Sequence, residues 1–195
     1  MVRVIVAGFV GAFIVFFWGA LSWMVLSLWE DDLRSLPGDG AIEQVLTDRI
    51  PENGAYYFPG MPDMDDPAAV EAWEERHRNG PIGIVTIQQE GAEPYSLESM
   101  LGGFLISLLS ALLIAGVLGY AGSIGSSYAG RLAIGIVFAI FAVASTYAMQ
   151  WNWFWWPGEY ATALSADVLI GWIIASIAMA GIVGGARAEP PMVAH

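Results

Sequence analysis

"MLGGFLISLLSALLIAGVLGYA", from Met100 to Ala121, contains no charged side chain and no proline. A helix crosses the hydrocarbon core of a bilayer with roughly 20 apolar residues, within a range of about 17–25. This stretch is long enough by itself. It is a poor strand, because membrane barrel strands alternate polar and apolar residues over about ten positions.

Working outward, three more apolar stretches have the same character. The first runs from Val4 to Trp29 and is broken only by Ser22 and Ser27; the others run from Leu132 to Met149 and from Ala166 to Ala186. The expected fold is therefore an all-α transmembrane four-helix bundle, with a small α+β extracytoplasmic domain inserted between helices 1 and 2. The expected organisation is a first span over 1–29, an acidic domain over 30–99 and a second span over 100–121. A third span over 132–149, an aromatic interfacial loop over 150–165, a fourth span over 166–186 and a cytoplasmic tail over 187–195 follow.

Composition supports this. Of 195 residues, 56% are hydrophobic and 13% charged, where soluble domains carry about 25% charged residues. The net charge is -12, and all seven basic residues are arginine. Nucleic acid is excluded as a partner, because phosphate binding needs basic surface. Peripheral attachment to anionic lipid is disfavoured for the same reason. There is no cysteine, so disulfides, thiolate metal sites and cysteine nucleophiles are excluded.

The first stretch is too long for a signal-peptide core, and no A-x-A site follows it, so it is expected to stay as an anchor. Single arginines mark the N-terminus, the link around Arg131 and the link around Arg187, which fall on one side of the membrane. The positive-inside rule then gives a multi-pass protein of the bacterial inner membrane with both termini in the cytoplasm.

"QWNWFWWPGEY", Gln150 to Tyr160, lies on the opposite side and has no basic residue. Trp151, Trp153, Phe154, Trp155, Trp156 and Tyr160 fit an aromatic belt, with apolar ring bodies in lipid and polar tips in water. Trp18, Trp23 and Trp29 would reach the same level. So dense a patch also suits docking of a partner, a lipid or a ring-shaped pigment. No cofactor is otherwise expected.

The segment from Glu30 to Glu98 holds sixteen of the nineteen carboxylates. Leu36-Pro37-Gly38-Asp39-Gly40 is turn chemistry. Ile42, Val45, Leu46 and Arg49 share helical spacing, and Pro51 ends that helix. Ala55-Tyr56-Tyr57-Phe58 is a strand, Asp66 caps a helix opened by Pro67, and Ile82 to Gln88 is a second strand. So small a unit has little core. It is expected to rest on the aromatic loop, with some of its tryptophans packed against Tyr56, Tyr57, Phe58 or Trp73.

Small residues recur every four positions in span two, at Gly103, Ser107, Ala111, Ala115 and Gly119, and in span four at Ser176, Ala180 and Gly184. Span one has Ala7 and Gly11. Such faces let helix backbones approach closely in lipid, where hydrophobicity no longer drives association. They are expected to pack within the bundle or to dock another integral subunit.

Chemistry is scarce. The span cores carry no charge by this reading, which disfavours a proton-coupled transporter. Asp167 reads as a carboxylate at a helix N-terminus, satisfied by free backbone N–H groups, with Glu159 just before it. His77 reads as a half-exposed helix residue between Arg76 and Arg78. Met61 to Asp66 with Glu71 and His77 matches no metal-loop spacing and reads as a turn before a capped helix. No catalytic or metal residues are expected.

"GFVGAFIVFFWGALSWMVL" (Gly8 to Leu26), "YYFPGMP" (Tyr56 to Pro62) and "DVLIGWIIA" (Asp167 to Ala175) resemble a group of small bacterial multi-span membrane proteins of unassigned function. The shared features are aromatic and glycine-rich, hence structural, and imply no activity. The expectation is a non-catalytic accessory subunit of a larger inner-membrane complex, with respiratory and photosynthetic assemblies the first class to examine. Its partners would be membrane lipids, other integral subunits and a basic soluble periplasmic protein. The rival expectation is a small transporter, sensor or enzyme with a site at the outer interface near Asp167 and Glu159.

Overall fold

The computed structural model describes residues 1–38 and 40–184. Asp39, the last two residues of the expected fourth span, and the tail with Arg187 and His195 lie outside the described residues.

Four helices are long and apolar enough to cross a membrane. They are α1 (Val2–Val25), α4 (Leu97–Ser123), α5 (Tyr128–Phe154) and α6 (Gly158–Val183), of 24, 27, 27 and 26 residues. Between α1 and α4 come α2 (Ala41–Arg49), β1 (Gly54–Phe58), α3 (Pro67–Asn79) and β2 (Gly83–Ile87).

Two helix boundaries differ from the sequence reading. α5 continues past Met149 to Phe154, and α6 begins at Gly158 rather than near Ala166. The expected loop over 150–165 shrinks to the corner Trp155-Trp156-Pro157. Proline explains the placement. The residue before a proline is pushed away from helical backbone angles, and Pro157, at φ -53°, leads directly into the first turn of α6. Continuing both helices into the corner also satisfies backbone polar groups internally, as an apolar environment demands.

The bundle packs on small residues. α1 lies along both α4 and α6, and α5 lies along α6. The shared core consists of Ala7, Ala12, Ala111, Ala115 and Ala175 with Ile114, Leu118 and Met179. A Cβ on Gly11 would come within 2.5 Å of Met179 Sδ, and one on Gly119 within 2.5 Å of Val4 Cγ2. Added atoms there would force Met179 or Val4 to shift, because protein interiors leave few voids.

In the inserted segment the local signals hold. The Asp66 carboxylate accepts the Ala68 and Ala69 amides at 3.0 and 3.3 Å, with Pro67 at the first helical position of α3. Gly80, at φ +66°, ends α3 in a conformation that favours glycine. β1 and β2 pair antiparallel, with Tyr56 opposite Val85 and Tyr57 opposite Ile84. The side-chain amide of Asn53 donates to Glu90 at 2.7 Å and holds that exposed carboxyl below its ordinary value. No described residue from 31 to 99 is buried, so this segment has no core of its own.

Candidate functional site

The densest polar arrangement joins the ends of α1 and α6 nearest the inserted segment. Asp167 lies well inside α6, whose first residue is Gly158. Its backbone amide is therefore committed to the helix, and the expectation of a carboxylate at free helix-terminal N–H groups is corrected. Three indoles replace those groups. Trp18 Nε1–H donates to Asp167 Oδ1 at 2.8 Å and is shared with the Asp167 carbonyl at 3.0 Å. Trp23 Nε1–H donates to Oδ2 at 3.2 Å, and Trp29 Nε1–H to Oδ1 at 3.3 Å.

Helix geometry explains how one carboxylate collects them. On a regular α-helix, residues five apart are separated by about 140° around the axis. α1 widens to a π-helical turn over Leu21–Val25, with Leu26 N–H bonded to Leu21 O at 2.8 Å. That i→i+5 turn carries Trp23 back towards the face that holds Trp18. Ser27, at φ +46°, then reverses the chain, and Trp29 returns to the same carboxylate. Trp18 also lies flat against Gly171, where a Cβ would sit 2.9 Å from Trp18 Cδ1.

The aromatic residues of the corner separate into three groups. Trp155, in the left-handed conformation at φ +54°, aims away from the bundle. Its ring centroid is 5.8 Å from Tyr57 and 5.1 Å from His77. His77 in turn stacks on Trp73 at 5.2 Å, and Trp73 Nε1–H donates to the Pro59 carbonyl at 3.1 Å. His77 is thus a spacer between two tryptophans, which the sequence reading missed. Trp156 packs between Tyr147 and Tyr160, at 6.4 and 5.1 Å. Trp151, Trp153 and Phe154 are exposed.

Glu159 meets Arg34 at 3.7 Å, but both side chains are over 80% exposed, and such pairs contribute little. Shallow grooves flank this end of α6. One, of about 430 Å³, is lined by Tyr147, Trp151, Thr162 and Ser165. The other, of about 410 Å³, is lined by Trp29, Asp32, Glu159 and Thr162.

The small-residue faces divide as well. Ala111 and Ala115 are fully buried, and Gly119 sits on Val4 of α1. Gly103 and Ser107 instead line an open groove of about 670 Å³ between α1 and α4. In α6, Ser176 fits against Gly135 of α5, where a Cβ would lie 2.6 Å from Ser176 Cβ. Ser176 Oγ has no hydrogen-bond partner among the described residues.

At the opposite end of the bundle, Arg131 is 7% exposed, not the solvated loop charge its position in sequence implied. Its Nε–H donates to Ala180 O at 3.0 Å, and an Nη1–H donates to Ser126 O. Gly184 abuts the same guanidinium so closely that a Cβ there would collide with it. The cation meets carbonyls near the C-terminal end of α6, where the helix dipole favours positive charge. Only the absence of a neighbouring carboxylate in sequence could have hinted at such backbone capping.

Chemically, the Asp167 arrangement is a tie. A carboxylate oxygen accepts, and here two indole donors from α1, Trp18 and Trp23, and a third from the turn after it, Trp29, converge on Asp167, so α1 and α6 are fastened to each other. Among the described residues, no group of three or more His, Asp or Glu side chains is placed to hold a metal ion. No known protein family, curated protein or solved structure matches the chain.

Proposed function

We propose that this chain is a non-catalytic accessory subunit of a larger bacterial inner-membrane complex, with both termini in the cytoplasm and residues 30–99 facing the periplasm. One observation carries the reading. The inserted segment has no buried side chain of its own among the described residues, and it meets the bundle through aromatic contacts centred on Trp155. A surface so thinly supported gains order from a partner. Sixteen carboxylates against four arginines in this segment favour a basic one, steered by the long-range field.

Within the membrane, the outward faces of α4, including Leu105, Ile106 and Leu109, and the groove beside Gly103 suit other integral subunits, lipid or a bound pigment. The rival reading needs a carboxylate free to bind or transfer protons near Glu159. The three indole donors on Asp167 favour a fastening role over that one.

The test is native migration. Membranes solubilised in mild detergent should release the chain with a large complex, of the respiratory or photosynthetic class. Migration at monomer or dimer size under conditions that preserve other complexes would reject the proposal. A reporter fused at the C-terminus should be active in the cytoplasm, and periplasmic activity would reject the orientation.

A further inference from the structure

An unfilled apolar groove separates α2 from the β1–β2 hairpin. It encloses about 600 Å³ and is lined by Ile42, Leu46, Ile50, Tyr56, Phe58 and Ile84 among others. α2 is attached at its C-terminal end, where the Gln89 side-chain amide donates to the Leu46 carbonyl at 3.5 Å and to the Ile50 carbonyl. Its other end is reached through Gly38 and Gly40, at φ +99° and +86°. The helix therefore stands off the sheet as a wedge, and Ile42, Phe58 and Ile84 remain 37%, 40% and 40% exposed.

Apolar area left in water forgoes roughly 25 cal/mol per Å² of burial, so the groove gains from an occupant with apolar side chains. Charge selects which kind. The whole net charge of -12 lies between Glu30 and Ser99, and only two ion pairs, Arg34–Glu159 and Arg78–Glu74, engage that segment's charges among the described residues. A second copy would set two such segments against each other, and an anionic lipid surface would be repelled likewise. A basic polypeptide is attracted.

We propose that this groove is the recognition site for a basic, amphipathic segment of a partner protein, which seats apolar side chains between α2 and the hairpin and is drawn by the carboxylates of the Glu30–Ser99 segment. This deepens the accessory-subunit reading and rests on it for the existence of a partner.

The experiment uses the full chain in nanodiscs of zwitterionic lipid. The probe is a short synthetic peptide alternating lysine and leucine, compared with a lysine/serine and a glutamate/leucine peptide, each corrected for binding to empty nanodiscs. The lysine/leucine peptide should slow amide exchange in Ala41–Arg49 and Gly54–Phe58, and the glutamate/leucine peptide should not. Ile84→Ser should weaken lysine/leucine binding about tenfold, as loss of an apolar anchor does. Because Ile84 is part-exposed, the hairpin should persist, and unchanged exchange in Pro67–Asn79 checks this. Glu43→Gln with Asp48→Asn, both exposed on α2, should weaken the same binding and flatten its salt dependence. Equal binding of the lysine/serine peptide would overturn the groove while leaving acidic docking intact. Failure of both lysine peptides would overturn both. Protection of α2 without peptide, on raising protein concentration or on changing to phosphatidylglycerol nanodiscs, would assign the groove to a second copy or to the membrane surface and overturn the proposal.

Discussion

Trp18 and Asp167 are joined twice, since one indole N–H reaches both the Asp167 carboxylate at 2.8 Å and its backbone carbonyl at 3.0 Å. The bond fixes the rotation of α1 against α6, and Gly171 leaves room for the ring beside it. Trp29 donates to the same Oδ1 and Trp23 to Oδ2. The π-helical turn at Leu21–Val25 is thereby explained, because the carboxylate rewards the register that presents Trp23.

Asp167→Ala removes the acceptor of three indoles. Hydrogen bonds in membrane proteins are worth about 0.6 kcal/mol each on average, and bonds to charged groups about 1.5–3 kcal/mol. A loss of about 2 kcal/mol in thermal unfolding in detergent is expected, with red-shifted tryptophan emission as the rings meet water. Asp167→Asn keeps one side-chain acceptor and should lose less. Equal stability of the alanine variant and the parent would show that the cage carries no energy.

Among the described residues, Trp155 is the corner tryptophan whose ring packs against aromatic rings of the inserted segment. Trp155→Ala should speed proteolysis of residues 30–99, by an amount matching the loss of about 1.5–3 kcal/mol for a buried aromatic, scaled down for its 41% exposure. Trp151→Ala and Trp153→Ala should leave proteolysis unchanged. The same cleavage rate for all three variants would refute the division of labour.

Close helix approach makes a paired prediction. Gly135→Ala should destabilise the bundle by about 1–3 kcal/mol through overpacking, because its Cβ would meet Ser176 Cβ at 2.6 Å. Adding Ser176→Gly should restore part of that loss, a coupling expected only for residues in contact. Ala111→Leu, at a fully buried position facing Gly11, should destabilise similarly. Additive losses for Gly135→Ala and Ser176→Gly in unfolding experiments would mean that α5 and α6 are further apart than described.

Arg131 should resist its conservative replacement. Its Nε–H bond to Ala180 O and Nη1–H bond to Ser126 O use the planar fork, which lysine lacks. Arg131→Lys and Arg131→Gln should both lower stability, by about 1–3 kcal/mol for carbonyls left unsatisfied. Full stability of Arg131→Lys in detergent unfolding would reduce the residue to a topology signal.

The sequence by itself determined the four helices, the two strands and the Asp66 cap. Each of those signals is local. The run from Met100 to Ala121 has no charge to interrupt it, Asp66-Pro67 starts a helix wherever it occurs, and Ile82 to Gln88 has the branched side chains of a strand. Glycine and alanine at every fourth position also marked Ala111, Ala115 and Ser176 as packing residues. Only the tertiary structure decided what the polar groups do. The bonds to Asp167 had no sequence signature, because Trp18, Trp23 and Trp29 are far away in sequence and converge only through a π turn at Leu21–Val25 and a positive φ at Ser27, neither of which periodicity encodes. Arg131 is capped by backbone carbonyls, which carry no sequence signature. Trp155 was one of four similar tryptophans until a left-handed backbone angle at the corner singled it out. Local preferences choose helices and turns, whereas a hydrogen bond between distant residues depends on how those helices are rotated against one another, and that rotation is set by the packing of the whole bundle.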